Sequence, residues 1–493
     1  MTLSDLKVTQ HKPTPTKEQV DKHSNWIVLF PIGANGKTFP YGELLLQRRK
    51  RLSKEKSDTT PIVTDLPNAG GSHVAYACIE ADIASFALLT LARKLVAAHK
   101  KYKPVSIAVC CAGFTPKQKQ RLAEAIVAAA AAAGAELPAF KQKKEKEKRL
   151  QELFLYGVKV ADGFRRSLAE AEGNALARYL SMLPPNKLTP ADYLKKVKAL
   201  AKENGWKLDF YGIAELKKKK AGAFLAVAQG SPTDDAGIVR LRYNPGKAGH
   251  KPKVTLVGKG ICYDTGGTSL KPPKYMFGMH EDMQGSAVAL GTLLALTKLK
   301  VRYPVECWLA LAMNHIGPKA YVPNDVIVAA DGTSIEVVNT DAEGRMVLAD
   351  TLTLASKEKP RLIIDYATLT GACVYSVGTA YSGVFTNKEE LIPRLIKTGQ
   401  DSGERVWPFP LDEDYDKGLE SEIADVKQCA QEGNADHILA ARFLQRFVKN
   451  NVPWIHVDLS SSSCKGGLAH IPTDTTGFGV RYTLNLLLDK KII

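Results

Sequence analysis

The chain has 493 residues, of which 45% are hydrophobic and 24% charged, and its formal net charge is +17. This length exceeds what one ordinary hydrophobic core supports, so we expect a soluble, globular protein of two domains. The longest apolar run, residues 125–133, is far shorter than a membrane span, and the polar segment 1–23 lacks the apolar stretch of an export signal. We therefore expect no membrane anchor and a cytoplasmic location.

Cysteine and charge usage exclude further classes of protein. The eight cysteines are scattered and form no C-x-x-C pair, which predicts reduced, mostly buried thiols rather than a disulfide framework. Basic residues are concentrated at 48–56, 141–149 and 217–220. Such runs can follow phosphates, which keeps nucleic-acid binding open as a partner class. No aromatic interleaving or DNA-reading motif accompanies them, so nucleic acid is not the expected partner and solvated surfaces are favoured.

The first third of the chain alternates strand and helix patterns. Strands are predicted at 26–31 and 104–111, and helices at 83–99 and 116–133, which indicates an α/β domain. This part carries no chemical motif, so we expect a scaffolding or assembly role. Residues 140–183 favour helix and stop at two prolines, which predicts a connecting helix. The predicted division is an N-terminal α/β domain over 1–165 and a catalytic domain over 166–493.

The second part continues the alternation. Thr189 is predicted to cap a helix that begins at Pro190 and reaches about residue 201. A short buried strand at 254–257 is predicted to deliver Lys259 and Asp264 at its carboxyl end, where open α/β sheets build ligand sites. The further predicted elements are a helix at 285–298, a strand at 305–313, a hairpin of 326–330 and 334–338, a helix at 344–356, a strand at 362–367, a helix at 435–449, a strand at 454–459 and a helix at 480–488.

Two acidic stretches stand out in this part. Residues 339–345 read Asn-Thr-Asp-Ala-Glu-Gly-Arg, and Asp341 and Glu343 at i and i+2 of an extended run would point to one side and share a cation. Upstream, Asp264 and Asp282 offer two more carboxylates. The cationic side chains among these acids are Lys259, Lys271 and Arg345.

Carboxylates without clustered histidines form a hard oxygen site suited to Mn²⁺, Mg²⁺ or Zn²⁺. The sequence has no H-E-x-x-H motif, and four acids suffice for two ions if some of them bridge. A simpler interpretation is also open, because Asp341 and Glu343 alone would suit the start of a helix and Arg345 could be an ordinary ion-pair partner.

On these residues the chain resembles the leucyl aminopeptidases (peptidase family M17, cytosol aminopeptidase type). The heptapeptide at 339–345 matches the family signature letter for letter, and the spaced lysines and aspartate of 258–271 and the Met-x-x-Asp-Met of 279–283 match in the same order. The resemblance extends from about residue 174 onward. It implies a catalytic α/β domain with a central mixed sheet flanked by helices, behind a smaller N-terminal α/β domain.

The resemblance also implies roles for single residues. Asp264 and Glu343 look like bridging ligands of two divalent ions, Mn²⁺ or Zn²⁺ and possibly Mg²⁺, with Asp341, Asp282 and Lys259 completing the metal set. Lys271 corresponds to the electrophile, and Arg345 to the arginine that holds a bicarbonate acting as general base. The substrate-binding positions implied are Met279, Asp282, Thr368 and Leu369.

The activity implied is removal of N-terminal residues, leucine or other apolar ones, from short peptides by a metal-activated water. A homohexamer is implied as the assembly. Residues 460–463, four serines, replace a less polar wall of the family's side-chain pocket, which puts strict leucine preference in doubt. A Cys-Gly type dipeptidase is therefore one alternative. An additional DNA-binding architectural role, which the resemblance implies because some members of the family have it and which the basic charge allows, is the other.

Overall fold

The computed structural model describes residues 5–52, 58–142, 149–246 and 251–493. The basic runs at 48–56 and 141–149 therefore lie partly outside the described residues. Two large β-sheets and one small sheet, with helices packed on their faces, form an α/β architecture. The predicted fold class is confirmed.

The first sheet has six strands in the order β1-β6-β5-β2-β4-β3, and only β3 runs antiparallel to its neighbour. Its strands are β1 (Lys7–His11), β2 (Asn25–Pro31), β3 (Ile62–Asp65), β4 (His73–Ile79), β5 (Ser106–Cys111) and β6 (Glu152–Tyr156). Its helices are α1 (Lys17–Asp21), α2 (Gly42–Arg51), α3 (Ser85–Ala97) and α4 (Pro116–Gly134). The strands and helices predicted in this part are found, with ends shifted by one or two residues.

The predicted connecting helix over 140–183 is wrong in its first part. Residues 152–156 form β6, which lies between β1 and β5. Leu153, Leu155 and Tyr156 are buried there, so sheet pairing decides the conformation of a short apolar segment that follows a charged one. The helix itself, α5 (Arg165–Ser181), begins later. The division of the chain at residue 165 remains a prediction.

The remaining helices are α6 (Pro190–Asn204), α7 (Ile213–Lys218), α8 (Gly222–Ala228), α9 (Pro273–Met276), α10 (Gln284–Lys298), α11 (Glu343–Ser356), α12 (Gly371–Val377), α13 (Ile392–Ser402), α14 (Asp436–Arg446) and α15 (Val480–Leu484). The remaining strands are β7 (Lys207–Gly212), β8 (Gly237–Tyr243), β9 (Val254–Asp264), β10 (Val305–Asn314), β11 (Val326–Val328), β12 (Ser334–Glu336), β13 (Leu362–Ala367), β14 (Ser382–Thr386), β15 (Val406–Pro408), β16 (Val426–Lys427) and β17 (Trp454–Asp458). Thr189 caps α6 as predicted by accepting the Asp192 N–H.

The second sheet has eight strands in the order β15-β14-β17-β13-β9-β10-β8-β7. Its four central strands, β17, β13, β9 and β10, are mutually parallel, and β8 and β14 run antiparallel beside them, so the sheet is mixed as expected. Alternate residues of β9 pack on opposite layers: Leu256 lies in the core formed with α10, and Val257 lies in the core formed with α11. The central strands are therefore covered on both faces.

Strand β9 is longer than the predicted strand 254–257, and Lys259 lies within it rather than beyond its end. Two glycines permit this extension under α10. A Cβ atom at Gly258 would lie 2.4 Å from the Cα atom of Ser286, and one at Gly285 would lie 2.1 Å from the carbonyl oxygen of Tyr366. The close approach places α10 directly on the sheet beside the carboxyl ends of its strands.

The third sheet is small and consists of β11, β12 and β16. Its β11–β12 hairpin turns at Asp331 and Gly332 as predicted, and β16 pairs with β12 in parallel. The hairpin leads into residues 339–345, and β16 leads into the segment that ends at α14. The small sheet thus places residues 339–345 beside the segment that connects β16 to α14.

All eight cysteines are free, and seven of them are buried, as predicted. Within the described ranges, no helix combines the length and the apolar character that crossing a membrane requires.

Candidate active site

Polar residues collect at the carboxyl ends of the four central strands. Strand β9 ends at Asp264, β10 at Asn314 and β17 at Asp458, and β13 is followed directly by Thr368 and Leu369. Because these strands are parallel, their ends meet at one edge of the sheet. We call this region the carboxyl edge.

Three acids converge at the carboxyl edge. One carboxylate oxygen each of Asp264, Asp341 and Glu343 lies within 4.8 Å of the other two. The reason given for this convergence from sequence is wrong, because β12 ends at Glu336 and the two acids do not share a strand. Asp341 lies in a turn and Glu343 is the first residue of α11, so the helix start brings the carboxylates together.

The hydrogen bonding of these acids fits a cation site. Glu343 is 1% exposed, and neither of its carboxylate oxygens has a hydrogen-bond donor of suitable geometry in the described chain. The same holds for Asp341 Oδ1 and Asp282 Oδ2. The groups nearest to these oxygens are two lysine ammonium groups, which carry less charge than the four carboxylates, so this donor set has the capacity for hard divalent ions.

Two lysines lie among the four carboxylates. Lys259 Nζ is 2.8 Å from Asp282 Oδ2 and 2.8 Å from Glu343 Oε1. Lys271 Nζ is 2.9 Å from Asp264 Oδ2 and 2.5 Å from Asp341 Oδ1. The structure therefore brings together all six of these side chains, which the sequence had placed in one site.

The electrostatics of the lysines differ in part from expectation. Burial lowers the pKa of Lys259, but the carboxylates of Asp282, Glu343 and Asp264 outweigh burial and hold that pKa above its ordinary value. The pKa of Lys271 is raised in the same way, against its own burial. A neutral Lys259 amine therefore requires added positive charge among these carboxylates, which divalent ions supply.

Two of the acids have raised pKa values. Burial raises the pKa of Asp282 well above its usual range, although Lys259 opposes the change. Burial, and then the charge of Asp264, raises the pKa of Asp341 to about 6. Mutual repulsion of crowded carboxylates is the common cause beside burial, and bound cations relieve it.

A rigid set of hydrogen bonds fixes the acids. Asn314 Nδ2 donates to Asp264 Oδ1 at 2.8 Å and to the Thr340 carbonyl oxygen at 3.0 Å. The Gly266 N–H also donates to Asp264 Oδ1, at 2.8 Å, which needs the positive φ of 85° that glycine adopts readily. Thr340 Oγ1 donates to the Gly266 carbonyl oxygen at 2.6 Å. These bonds join the strand ends to the heptapeptide.

Gly344 leaves the space that the Lys259 side chain fills. A Cβ atom at position 344 would lie 2.7 Å from both Cε and Nζ of Lys259. The glycine of the heptapeptide is thus required by a side chain from β9.

The segment after β13 lies against the lysine and Asp282. Lys259 Nζ donates to the Thr368 carbonyl oxygen at 3.0 Å, and Thr368 Oγ1 donates to Asp282 Oδ1 at 2.7 Å. The Leu369 N–H donates to Asp458 Oδ1 at 3.1 Å, so the strand end of β17 orients this segment. Met279 is half-buried in the turn that precedes Asp282.

Arg345 is buried and paired with an acid that the sequence did not indicate. Its Nη2 donates to Asp436 Oδ1 at 2.8 Å and to Asp436 Oδ2 at 2.9 Å, and its Nη1 donates to the Gln428 carbonyl oxygen at 3.2 Å. The simpler interpretation of Arg345, an ion-pair partner, is therefore realised in the structure.

Comparison with known proteins gives the family. Residues 175–484 match the model of the cytosol aminopeptidase family, catalytic domain. The chain belongs to this family. A probable cytosol aminopeptidase of Stutzerimonas stutzeri is 42% identical over 66% of each chain, and one of Wolbachia pipientis is 40% identical over 74% of this chain and 75% of the relative. The resemblance seen in the sequence is thereby confirmed, and the protein is a metallo-aminopeptidase by membership.

Solved structures share this aminopeptidase fold. A mutant of tomato leucine aminopeptidase has a TM-score of 0.86 and 25% identity, with 99% of both chains covered. The bottromycin maturation enzyme BotP in complex with Mn has a TM-score of 0.79 and 28% identity, covering 95% of this chain and 99% of BotP. The former likeness extends over both large sheets.

Sequence reasoning missed several residues of this candidate site. Asn314 and Asp458 could have been found, because each is a polar residue at the end of an apolar strand that had been predicted. Asp436 stood at the start of a predicted helix, where acidic residues are common because they stabilise the positive end of the helix dipole. Gln428 carried no signal.

Proposed function

We propose that the protein is a two-metal aminopeptidase that removes N-terminal leucine or other apolar residues from short peptides. One observation carries the proposal: the buried Glu343 lies in a cluster with Asp264 and Asp341, neither of its carboxylate oxygens has a hydrogen-bond donor of suitable geometry among the described residues, and its one cationic neighbour, Lys259 Nζ at 2.8 Å, is shared with Asp282. The two lysines at the site, Lys259 and Lys271, compensate only part of the negative charge of the four clustered carboxylates, and divalent ions would compensate the rest.

The residues that would hold the two ions are Asp264, Asp282, Asp341, Glu343 and Lys259, and the family resemblance would make Asp264 and Glu343 the ligands common to both ions. The oxygen-rich set suits Mn²⁺ or Zn²⁺, and Mg²⁺ is a third candidate. When bound, such a pair of ions acidifies a water molecule and stabilises negative charge on the attacked carbonyl. The Mn complex of BotP supports a divalent metal.

Lys271 is proposed as the electrophile of the reaction. Its Nζ lies between Asp264 and Asp341, and those acids keep the ammonium charged against the effect of burial. A charged donor that is already oriented stabilises an oxyanion without reorganising during the reaction. Lys271 would therefore donate to the scissile carbonyl oxygen as negative charge develops there.

Binding of the substrate amine is proposed for the segment after β13. The Leu369 carbonyl oxygen and the Asp282 carboxylate would accept the amine protons. Thr368 supports this arrangement by its 2.7 Å bond to Asp282, and Asp458 supports it by accepting the Leu369 N–H. Met279 would form an apolar wall for the first side chain, which favours leucine over polar residues.

Among the serines at 460–463, Ser460 weakens the leucine preference less than its polarity suggests, whereas the buried Ser461 Oγ has no hydrogen-bond partner in the described chain and Ser463 is exposed. Ser460 Oγ donates to the Tyr381 carbonyl oxygen at 2.9 Å, and Ser460, Ser461 and Ser462 are buried. A hydroxyl that is already bonded to the backbone offers little to a substrate. The ratio of kcat/KM for Leu-Gly and Cys-Gly decides between the aminopeptidase and the Cys-Gly dipeptidase, and a ratio below one would favour the dipeptidase.

Assembly, location and nucleic-acid binding extend the same proposal. We infer a homohexamer and a cytoplasmic location from the family resemblance and from the names of the relatives. No feature of the described residues specifically supports DNA binding, and a gel-shift experiment at low salt with a catalytically inactive variant tests it.

The decisive experiment removes single ligands. Asp341→Ala and Glu343→Ala should each abolish hydrolysis of leucine anilide and lower the number of divalent ions per chain measured by mass spectrometry. Glu389→Ala, at an exposed position, is the control and should change neither quantity. Hydrolysis near the parent rate in a ligand variant would refute the assignment.

A further inference from the structure

Arg345 has an internal anion as its partner. The guanidinium group is 2% exposed, and one of its nitrogens, Nη2, contacts both carboxylate oxygens of Asp436. The family resemblance assigns a bicarbonate to this arginine. The question is therefore whether Arg345 still has a binding edge for a second oxyanion.

The geometry of the guanidinium group answers this question. An oxyanion binds arginine most strongly through two adjacent N–H groups, either Nε with Nη2 or Nη1 with Nη2. Nη2 belongs to both pairs and is held by Asp436, and Nη1 donates to the Gln428 carbonyl oxygen. Nε is the one guanidinium nitrogen without a partner among the described residues, so a second oxyanion could pair Nε only with a nitrogen that Asp436 or Gln428 already contacts.

Charge leads to the same result. The carboxylate of Asp436 neutralises the guanidinium charge, so a second anion would meet a neutral pair. Glu343, two residues before Arg345, and Cys429, beside the Arg345 side chain, add no positive charge that could attract an anion. The residues present do not fit a bicarbonate at Arg345.

The position of Asp436 is enforced by the backbone around it. Asp436 begins α14, and the preceding Ala435 has a φ of 52°, a left-handed conformation that costs a residue with a side chain roughly 1 kcal/mol. Gln428, which also contacts Arg345, donates through Nε2 to the Ala342 carbonyl oxygen at 2.9 Å. Both partners of Arg345 therefore come from the segment that follows β16.

We propose that Asp436 is the resident anion of Arg345, a positioning residue that takes the place of bicarbonate, so that peptide hydrolysis by this protein needs no added bicarbonate. The inference rests on the proposed function. Asp436 acts through Arg345 and through the local charge, and touches neither substrate nor metal ligand. A purely structural ion pair at the start of a helix is the competing explanation.

The experiment compares the metal-loaded wild type with Asp436→Ala in carbonate-free buffer, with and without added bicarbonate. The wild type should hydrolyse leucine anilide at the same rate in both buffers. Asp436→Ala should lose roughly tenfold to a hundredfold in kcat with little change in KM, and bicarbonate should restore most of the loss. Formate should restore it as well, because the position requires charge and a pair of oxygens rather than a proton.

A second readout does not depend on turnover. The resonance of ¹³C-labelled bicarbonate should broaden in the presence of metal-loaded Asp436→Ala and stay sharp with the wild type. Asp436→Ser also removes the charge and leaves space for an anion, so it replaces the alanine variant if that variant does not fold. If the wild type binds no divalent ions and hydrolyses no anilide, the proposed function fails. If it does both but bicarbonate stimulates it, the proposed function stands and the role of Asp436 is refuted.

Asp416→Ala is the matched control. Asp416 accepts from Arg442 Nε at 2.9 Å and from Arg442 Nη2 at 2.7 Å, and Arg442 lies on the same helix α14. This variant breaks a comparable ion pair and should show no bicarbonate effect. Stimulation of the wild type by bicarbonate, failure of both anions to restore a folded Asp436 variant, or restoration by bicarbonate alone would each overturn the proposal.

Discussion

Buried carboxylates occur in two kinds of environment in this protein. In the part of the chain that contains the eight-stranded sheet, the buried Asp350 and Glu404 each accept hydrogen bonds from two backbone N–H groups. At the carboxyl edge, Glu343 has no such donor in the described chain, and its close neighbour is the Lys259 ammonium group. Both kinds of acid are withdrawn from water, and only the second leaves its oxygens available to cations.

The comparison separates stabilising from functional uses of burial. Burial raises the pKa of Asp350 and of Glu404 to about 7 in each case, so these acids can be protonated near neutral pH. Their role is to accept hydrogen bonds from backbone N–H groups. The acids at the carboxyl edge lie in a cluster with lysines, where protonation would remove the ligands of the proposed ions. The interior acids tolerate the loss of their negative charge, whereas the acids at the carboxyl edge must keep theirs.

The largest expected effect comes from removing the ions. Dialysis against a chelator should lower hydrolysis of leucine anilide by roughly a thousandfold or more, because the water and the oxyanion lose their main stabilisation. Adding back Mn²⁺, Zn²⁺ or Mg²⁺ separately should restore the rate to different extents and so rank the metals. If hydrolysis persists when mass spectrometry finds no bound ions, the acids at the carboxyl edge do not serve as metal ligands, and their environment would have no function that the interior acids lack.

The next effect comes from Lys271→Met. Loss of the charged donor should lower kcat by roughly a hundredfold to a thousandfold, the range found when an oxyanion donor is removed. Bound ions, counted by mass spectrometry, should stay near the parent number. Lys274→Met, at an exposed position in α9, is the control with the same change of chemistry. Equal rates in the two variants would exclude Lys271 as the electrophile.

A matched pair of substitutions sharpens the comparison through stability. The folded-state pKa of Glu404, about 7, lies above the ordinary value of 4.5. The folded protein therefore binds this proton more tightly than the unfolded chain, and wild-type stability decreases as the pH rises from about 4.5 through about 7. Glu404→Gln should remove that loss and raise the free energy of unfolding by roughly 1 to 3 kcal/mol at about pH 8, with no gain below about pH 4.

Urea unfolding at both pH values measures this change. Besides burial, the charge of Glu170 raises the pKa of Glu404 and the charge of Arg481 lowers it, so neither of these two residues should be changed in this experiment. Glu404→Gln should retain hydrolysis, whereas the equivalent Glu343→Gln should lose it. A Glu404 variant whose stability gain is the same at both pH values would contradict the assignment of the pKa.

The smallest effect concerns the strained residue beside Asp436. Ala435→Gly should relieve the left-handed strain of roughly 1 kcal/mol, partly offset by the extra freedom of glycine in the unfolded chain, for a net gain below about 1 kcal/mol. Ala440→Gly, inside α14, is the control and should destabilise by about 1 kcal/mol. If Ala435→Gly proves equally destabilising, the backbone at 435 is not strained.

Much of the site could be predicted from sequence because its chemistry is concentrated in short motifs. The heptapeptide, the stretch 258–271 and the motif at 279–283 contained the four acids and two lysines that converge at the carboxyl edge, although Asp436 and Asp458 were missed. The explanation for their convergence was nevertheless wrong for Asp341 and Glu343, since a strand pattern at 334–338 cannot show where the strand stops. The start of α11, not a shared strand, aligns the two carboxylates.

The partners that come from distant segments could not be predicted. Asp436 contacts Arg345 only because β16 pairs with β12, and a two-residue strand leaves no periodicity to detect. The strand β6 was missed because a charged segment precedes it and its pairing with β1 and β5 is long-range. Local patterns report local preferences, and these contacts depend on sheet order.

Gly344 shows how far a single position can be constrained by a remote one. With any side chain at 344, the Lys259 amine could not occupy its place between Asp282 and Glu343. A mutational library at this position should therefore return glycine alone among active clones. A designer who wishes to vary the heptapeptide must first shorten the residue that reaches it from the neighbouring strand.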